Sequence, residues 1–436
     1  MDSKPLTLAA IGCGSRVRTY LKLAAERPDR YQVVAVADPV ETRMRQVIEN
    51  APQNQRAGIQ CFASADDLLD QGKLADLVII GTQDSYHYAP CRRALELGYD
   101  VLLEKPIAKT LKEALELRDL ALKHDCKVVV CHVLRYTPFY RKVREIVQSG
   151  RLGEVVSFAA NEGVGAWHFA HSFVRGHWGI MAASTPMMVA KCCHDMDIIP
   201  WILDRSAESL SSFGGVSFFN EEHRVEGRST KCVEWTTEPG EDPYDARKYA
   251  KDEQSRRWLK MVCDLPDEAT EEEIYAWLKE SPWGRDVFSC DNDQPDHQVM
   301  AMKFSGGLTG TFTVTAFDEG RHIEIYGTKG RLRGGHFYEK HGPGELMVTD
   351  HFGEMEVIKI DTPGEGYEGH GGGDFGLIDS LYDQIRNPDE TAGGSSIVDS
   401  VHSHVIAFAS EHARRTEKVV RLNDFEAAVL SGELRY

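Results

Sequence analysis

The stretch Leu6-Thr7-Leu8-Ala9-Ala10-Ile11-Gly12-Cys13-Gly14-Ser15-Arg16-Val17 decides the fold of this 436-residue chain. A largely apolar run, suited to a strand buried on both faces, leads through two glycines into a helical pattern that continues towards Glu26. In such a strand–turn–helix unit Gly12 permits a tight turn and Gly14 lets backbone approach a diphosphate. Ser15 and Arg16 then open a helix whose N-terminus offers free N–H groups and the positive end of its dipole. A third glycine is expected at position 17, where valine stands, so the motif draws its strength from context. The next apolar run, residues 32–37, ends at Asp38, 24 positions beyond Gly14. A carboxylate there can accept hydrogen bonds from ribose hydroxyls and repels a 2′-phosphate, which favours NAD over NADP. Arg43, close by in sequence, softens that preference.

Working outward, residues 77–80, 101–103 and 127–130 are further strands alternating with helical patterns, which predicts a doubly wound parallel sheet over residues 1–131. Thr110-Leu111-Lys112-Glu113 is a capping box, and Leu111, Ala114, Leu115, Ala121 and Leu122 are expected on one helix face, interrupted by Arg118. A helix after Pro138 should end at Gly150. Residues 132–436 read differently. In residues 308–316 four threonines alternate with Phe312, Val314 and Ala316, the pattern of a half-exposed antiparallel strand. Strands are also expected over 155–160, 208–218, 299–304 and 321–326, giving an α+β domain with an open, mainly antiparallel sheet. Residues 220–296 are charged and irregular, with one helix over 270–279 capped by Thr270 and Glu273, and read as an insertion acting as a lid or an oligomer contact.

Lys and Arg number 50 against 68 Asp and Glu, a net charge of −18 that argues against nucleic acid or an anionic membrane as the main partner. No apolar run approaches the roughly 18 residues that span a bilayer, and the first residues lack a signal-peptide pattern, so a soluble cytoplasmic protein is expected. The ten cysteines are scattered, with Cys13, Cys61, Cys91 and Cys126 in apparent core elements, and read as reduced thiols. His168, His171, His177, Cys192, Cys193 and His194 match no closed zinc spacing, so no metal is expected.

The chemistry concentrates after the strands. Glu104-Lys105-Pro106 follows the strand at 101–103, at the ligand-facing end of such a sheet. A partly desolvated lysine there can exchange a proton with a substrate hydroxyl, although Lys-Pro taken alone is more often just a turn. Thr82-Gln83-Asp84-x-x-His87 follows the strand at 77–80, and Leu134-Arg135-Tyr136-x-Pro138 follows that at 127–130. With Gly12-x-Gly14 and Lys105-Pro106, these segments resemble the glucose–fructose oxidoreductase/inositol dehydrogenase (Gfo/Idh/MocA) family over essentially the whole chain. Residues 149–155, Ser-Gly-Arg-Leu-Gly-Glu-Val, resemble that family's entry into its second domain.

The resemblance implies a Rossmann domain followed by a domain that carries the substrate site and subunit contacts. It places Lys105 against both nicotinamide and substrate, with a Lys105–Pro106 bond that can be cis, and Thr82, Gln83, His87, Glu104 and Arg135 along the cofactor cleft. The family's second catalytic segment reads Asp-x-x-x-His; here it is Ala190-Lys191-Cys192-Cys193-His194. The aspartate is missing, which leaves His194 as general base and makes Lys191 a candidate for substrate hydroxyls or a carboxylate. Trp167, His168, Arg175, His177 and Trp178 crowd aromatic, imidazole and guanidinium groups into one segment suited to sugar rings, and His370 and Asp374 flank a glycine run that could approach a ligand.

Three readings result. The leading one is an NAD-dependent oxidation of a secondary hydroxyl of a sugar, glycoside or cyclitol. The second is a redox-assisted glycosidase that oxidises, eliminates and re-reduces, and the third is a nucleotide-binding regulator without catalysis, motivated by Ala190. A homodimer or homotetramer is expected because an open sheet needs covering. Arg16, Arg43, Lys105, Arg135, Arg175 and Lys191 together lead to the expectation of a locally basic cleft.

Overall fold

The computed structural model describes residues 4–436 except 261, 264, 267, 336–343, 362–369 and 388–393. Its first sheet consists of β1 (Leu6–Ile11), β2 (Tyr31–Ala37), β3 (Gln60–Phe62), β4 (Leu77–Ile80), β5 (Asp100–Leu103) and β6 (Val128–Val130). All pairs are parallel, in the order β3-β2-β1-β4-β5-β6. Helices cover both faces, so β4 is buried throughout and its sequence carries no alternation. Strand order reverses between β1 and β4, where ligands bind in folds of this kind; Gly81 N–H donates to Ile11 O there at 3.0 Å.

The capping box forms as expected, opening the Leu111–His124 helix. Its buried face holds Leu111, Ala114, Leu115, Leu117 and Ala121, whereas Leu122 is 63% exposed. Leu122 shares the apolar stripe but lies in the last turn and lines an open groove. Of the cysteines placed in the core by sequence, Cys61 is exposed on the edge strand β3 and Cys126 is half-buried; all ten are free thiols.

The second sheet is formed by β7 (Val155–Val164), β8 (Ala207–Gly215), β9 (His297–Phe304), β10 (Thr309–Thr315), β11 (Glu319–Gly327), β12 (Gly330–Gly335), β13 (Glu345–Asp350), β14 (Met355–Lys359) and β15 (Val420–Arg421). Its order is β14-β13-β12-β11-β7-β10-β9-β8-β15, antiparallel except for β7–β10. Along β10, Phe312 and Val314 point into the core while Thr309 and Thr311 face out, as the alternation requires. β8 stops at Gly215 instead of continuing to 218, because the Asp296 carboxylate accepts the Ser217 and Phe218 N–H groups at 2.9 and 2.7 Å and turns the chain. The outer face carries exposed Phe213 and Val299.

One late element crosses the division drawn at residue 132. The Gly373–Arg386 helix packs Leu377, Ile378, Leu381 and Tyr382 into the same core as Leu8, Tyr20 and Tyr31 of the first domain. Tyr31 secures it, its hydroxyl donating to Ile378 O at 2.6 Å and accepting from Tyr382 N–H at 2.8 Å. The insertion has a small core of its own, including Cys232, Trp235, Tyr249, Leu278 and Trp283. No helix among the described residues is long and apolar enough to cross a membrane.

Candidate active site

Gly12 adopts φ +83°, and a Cβ there would lie 2.8 Å from Gly81 O, so the turn requires glycine on both counts. Gly14 differs: its φ is −66°, and a Cβ would meet nothing within 4 Å. The open space above it and the following helix, whose N-cap makes no side-chain hydrogen bond, form a cradle that a side chain would fill. Val17, in place of the third glycine, packs against Gly81, where a Cβ would come within 2.4 Å of Val17 Cγ2. Close approach of helix and sheet is thus kept by a glycine on the opposite wall. Asp38 closes the loop, with Oδ2 accepting Cys13 N–H at 2.7 Å and Oδ1 accepting Val40 N–H at 2.8 Å. Ser15 is exposed and Arg43 half-buried at the same end. These residues fit a dinucleotide diphosphate.

At the end of β5 the Lys105–Pro106 bond is cis, and Lys105 Nζ donates to Ala190 O at 2.9 Å. The side chain of the first domain therefore reaches the backbone at the position where the aspartate is absent. Buried Glu104 accepts from Tyr20 Oη at 2.6 Å, Arg16 Nε at 3.1 Å and Lys105 N–H at 2.9 Å. Burial alone would raise its pKa; the Arg16 and Lys105 charges and the Tyr20 hydroxyl outweigh that and hold it below the usual value. Arg16 is shared with Asp374, at 2.8 Å from Oδ2. His87 braces the loops, Nδ1 lying 2.7 Å from Pro106 O and Nε2 3.1 Å from Thr82 O. Thr82 is half-buried and Gln83 exposed beside it.

His194 is buried, and neither ring nitrogen has a partner among the described residues. Burial first, then the Lys105 charge, holds its pKa well below the usual imidazole value, so it is neutral at pH 7 and able to accept a proton. Lys191 is engaged: Nζ lies 3.1 Å from Glu162 Oε1 on β7. Glu162 is 2.9 Å from Arg321 on β11, and Arg321 also grips Asp195 at 2.8 Å. His168 stands near this chain of charges, its pKa lowered well below the usual value by burial, then Lys191, His171 and Lys105. Its ring packs 4.4 Å from that of Trp258 of the insertion. Trp167 lies 5.1 Å from Tyr249, also of the insertion. Trp178 Nε1 donates to Asp84 Oδ2 at 2.7 Å, tying this segment to the loop after β4, and exposed His177 sits beside it.

Some candidates face elsewhere. Arg135 is buried against Asp197 through two hydrogen bonds of 2.6 and 2.7 Å. Arg175 is buried under the insertion, donating to Arg285 O at 2.6 Å and to Tyr244 O. With Arg16 and Lys191 also paired to carboxylates, the basic cleft expected from the sequence is largely neutralised. Sequence reasoning missed Tyr20, Glu162, Arg321 and His132. Glu162 had a signal: it shares the inward phase of β7 with Phe158 and Ala160, where a carboxylate demands a cation. Among the described residues no group of three or more His, Cys, Asp or Glu could hold a metal ion.

Comparison with known proteins identifies the family of the two domains. Residues 6–132 match the oxidoreductase-family model for an NAD-binding Rossmann fold, and residues 144–372 match that family's C-terminal alpha/beta domain. The chain belongs to the Gfo/Idh/MocA oxidoreductase family. The Bacillus subtilis protein YteT, named provisionally as an oxidoreductase, is 25% identical over 409 residues, 88% of this chain and 91% of its own. An inositol 2-dehydrogenase of Corynebacterium glutamicum is 26% identical over 204 residues, 46% of this chain and 55% of that protein. In fold, this Gfo/Idh/MocA chain resembles an Agrobacterium radiobacter oxidoreductase solved with NAD+, L-tartaric acid and magnesium, at TM-score 0.66 and 16% identity over 97% of this chain and 99% of that one. A scyllo-inositol dehydrogenase of Lactobacillus casei with NAD(H) and scyllo-inositol gives 0.62 and 15%, over 96% and 100%.

Proposed function

We propose that this chain oxidises a secondary hydroxyl of a sugar, glycoside or cyclitol, with NAD in preference to NADP as hydride acceptor. The observation that carries the reading is the meeting of Lys105 with the Ala190–His194 segment: an ammonium held at the end of β5 beside a neutral, unpartnered imidazole. When bound, the nicotinamide supplies the electron sink. His194 accepts the hydroxyl proton, and Lys105 stabilises the negative charge that develops on oxygen. Glu104 and Tyr20 fix Arg16, while the Glu162–Arg321 pair orients Lys191 towards substrate hydroxyls; a neighbouring carboxylate makes Lys191 a poorer partner for an acidic sugar. Trp167, His168 and Trp178 offer aromatic faces to the substrate ring in this reading. Asp38, already bonded to the glycine loop, keeps lone pairs for ribose hydroxyls. The outer face of the nine-stranded sheet is covered by a second copy of the chain.

The test is NADH formation by purified protein over scyllo-inositol, myo-inositol, D-glucose and the nitrophenyl β-glycosides of common hexoses. NADH accumulating with one of them supports the dehydrogenase. Nitrophenol release without net NADH replaces it with the redox-assisted glycosidase, and NAD binding with neither activity replaces it with a regulator.

A further inference from the structure

Four imidazoles from four separate stretches of chain stand in a row through the site. Ring centroids are 5.8 Å apart from His370 to His194, 5.7 Å from His194 to His132 and 5.8 Å from His132 to His404. The row runs inward from the surface: His370 has 33% of its side chain exposed, whereas His194, His132 and His404 are 3%, 0% and 0% exposed. Its inner end is closed. His404 Nε2 accepts the Ile107 N–H at 3.0 Å and Nδ1–H is given to Ser400 O at 2.8 Å, so that ring has no nitrogen left for exchange. The middle is uncommitted, since neither nitrogen of His194 or His132 has a partner among the described residues. At the outer end His370 Nδ1 lies 3.5 Å from Asp374 Oδ2.

We propose that His370, steadied by Asp374, is the exit through which the proton taken by His194 leaves for solvent. The inference rests on the oxidoreductase reading above. As the substrate C–H bond breaks, its electron pair goes to the nicotinamide as hydride; the O–H bond breaks with its proton passing to His194, and C=O forms. His194 then gives up one proton to His370 across a single bridging hydroxyl or water, and His370 releases it, leaving both rings neutral. Charges around the two rings set the direction. His194 faces Lys105, Arg321, His132 and His370, all of which oppose a cation there, and it is more deeply buried. His370 faces Asp374, which favours one, against Arg16 and Lys105.

The backbone at His370 supplies a way to separate proton transfer from folding. It adopts φ +49°, followed by Gly371 at +59° and Gly372 at +85°, a left-handed run in which histidine is strained and glycine is not. The full-length protein is assayed with NAD and whichever probe above is turned over. His370→Gly is expected to lower kcat about tenfold or more. Its KM and NADH affinity should stay within about twofold and its Tm should be equal or higher, with kcat partly restored by added imidazole. In histidine NMR of the protein without cofactor, both rings should titrate below the usual imidazole value, His194 at lower pH than His370. A kcat within about twofold of wild type across the pH range, a loss that imidazole does not restore, or a His194 that titrates above His370 overturns the exit. If the wild type reduces NAD with none of the probes, the oxidoreductase reading falls first and the exit with it.

Discussion

Adding one methyl group to each of the two loop glycines separates folding from cofactor binding. At Gly12, alanine must occupy φ +83°, which costs about 1–2 kcal/mol for an L-residue. Its Cβ would also sit 2.8 Å from Gly81 O and 2.9 Å from Thr82 N, backbone atoms at the end of β4 that cannot swing aside, for about 1–3 kcal/mol more. Gly12→Ala should therefore destabilise the protein by about 2–5 kcal/mol. At Gly14 the backbone already suits alanine and the added carbon touches no protein atom within 4 Å. Gly14→Ala should leave stability within about 1 kcal/mol of wild type, and raise it if anything, because it restricts the unfolded chain. The methyl group occupies the space that a diphosphate would use, so the Kd for NADH should rise about 10- to 100-fold, or about 1.4–2.7 kcal/mol. Urea unfolding measures the first quantity and NADH fluorescence titration the second. If Gly14→Ala unfolds as easily as Gly12→Ala, or binds NADH with wild-type affinity, the loop is not the diphosphate cradle.

Lys105→Met should keep NADH affinity within about threefold while NADH formation falls about 10²- to 10⁴-fold, measured by stopped flow on the substrate found in the panel. Arg135→Met leaves Asp197, 1% exposed, without its two hydrogen bonds and should cost about 3–5 kcal/mol in urea unfolding; pairing it with Asp197→Leu should recover most of that loss. The Asp374 carboxyl, buried beside Arg16, is held at about 2 against an ordinary 3.8, with hydrogen bonds from Arg16 and His370 overcoming the effect of burial. A depressed folded-state value stabilises above the unfolded value. The stability gap between wild type and Asp374→Asn should thus be about 2 kcal/mol at neutral pH and shrink as pH falls from about 4 to about 2. A gap that stays constant through that window would falsify the Arg16–Asp374 assignment. Thr110→Ala removes the cap of the Leu111–His124 helix and should cost about 1 kcal/mol by the same urea measurement.

The first domain was the more legible half because its signals are local. β4 is an unbroken apolar run covered on both faces, β1 is apolar but for Thr7, and Thr110 with Glu113 announces a helix start from four residues. β3 escaped because it is three residues long on an edge, with two of the three exposed. In the second domain β10 was readable from alternation, whereas β12 contains three glycines and two arginines, and its place depends on neighbours far along the chain. The same limit applies to the site. Lys105 was singled out by its place directly after a strand, whereas His194 was singled out through the resemblance to the family's Asp-x-x-x-His segment. That Arg135 and Arg175 turn to Asp197 and to carbonyls under the insertion is decided by residues 62 and 110 positions away, to which no periodicity points. The docking of the Gly373–Arg386 helix beside Tyr31 likewise rests on residues far apart in the chain.

Val17 and Gly81 face each other across the gap between the first helix and β4, and together they hold a fixed allowance of volume. The fingerprint is satisfied as a sum over two walls, so what is acceptable at either position depends on its opposite. Gly81→Ala would overfill the gap while Val17 remains and be tolerated once Val17 is made smaller. A reader who scores position 17 alone sees a broken motif; one who scores the pair sees an intact one with its empty place moved to the other side.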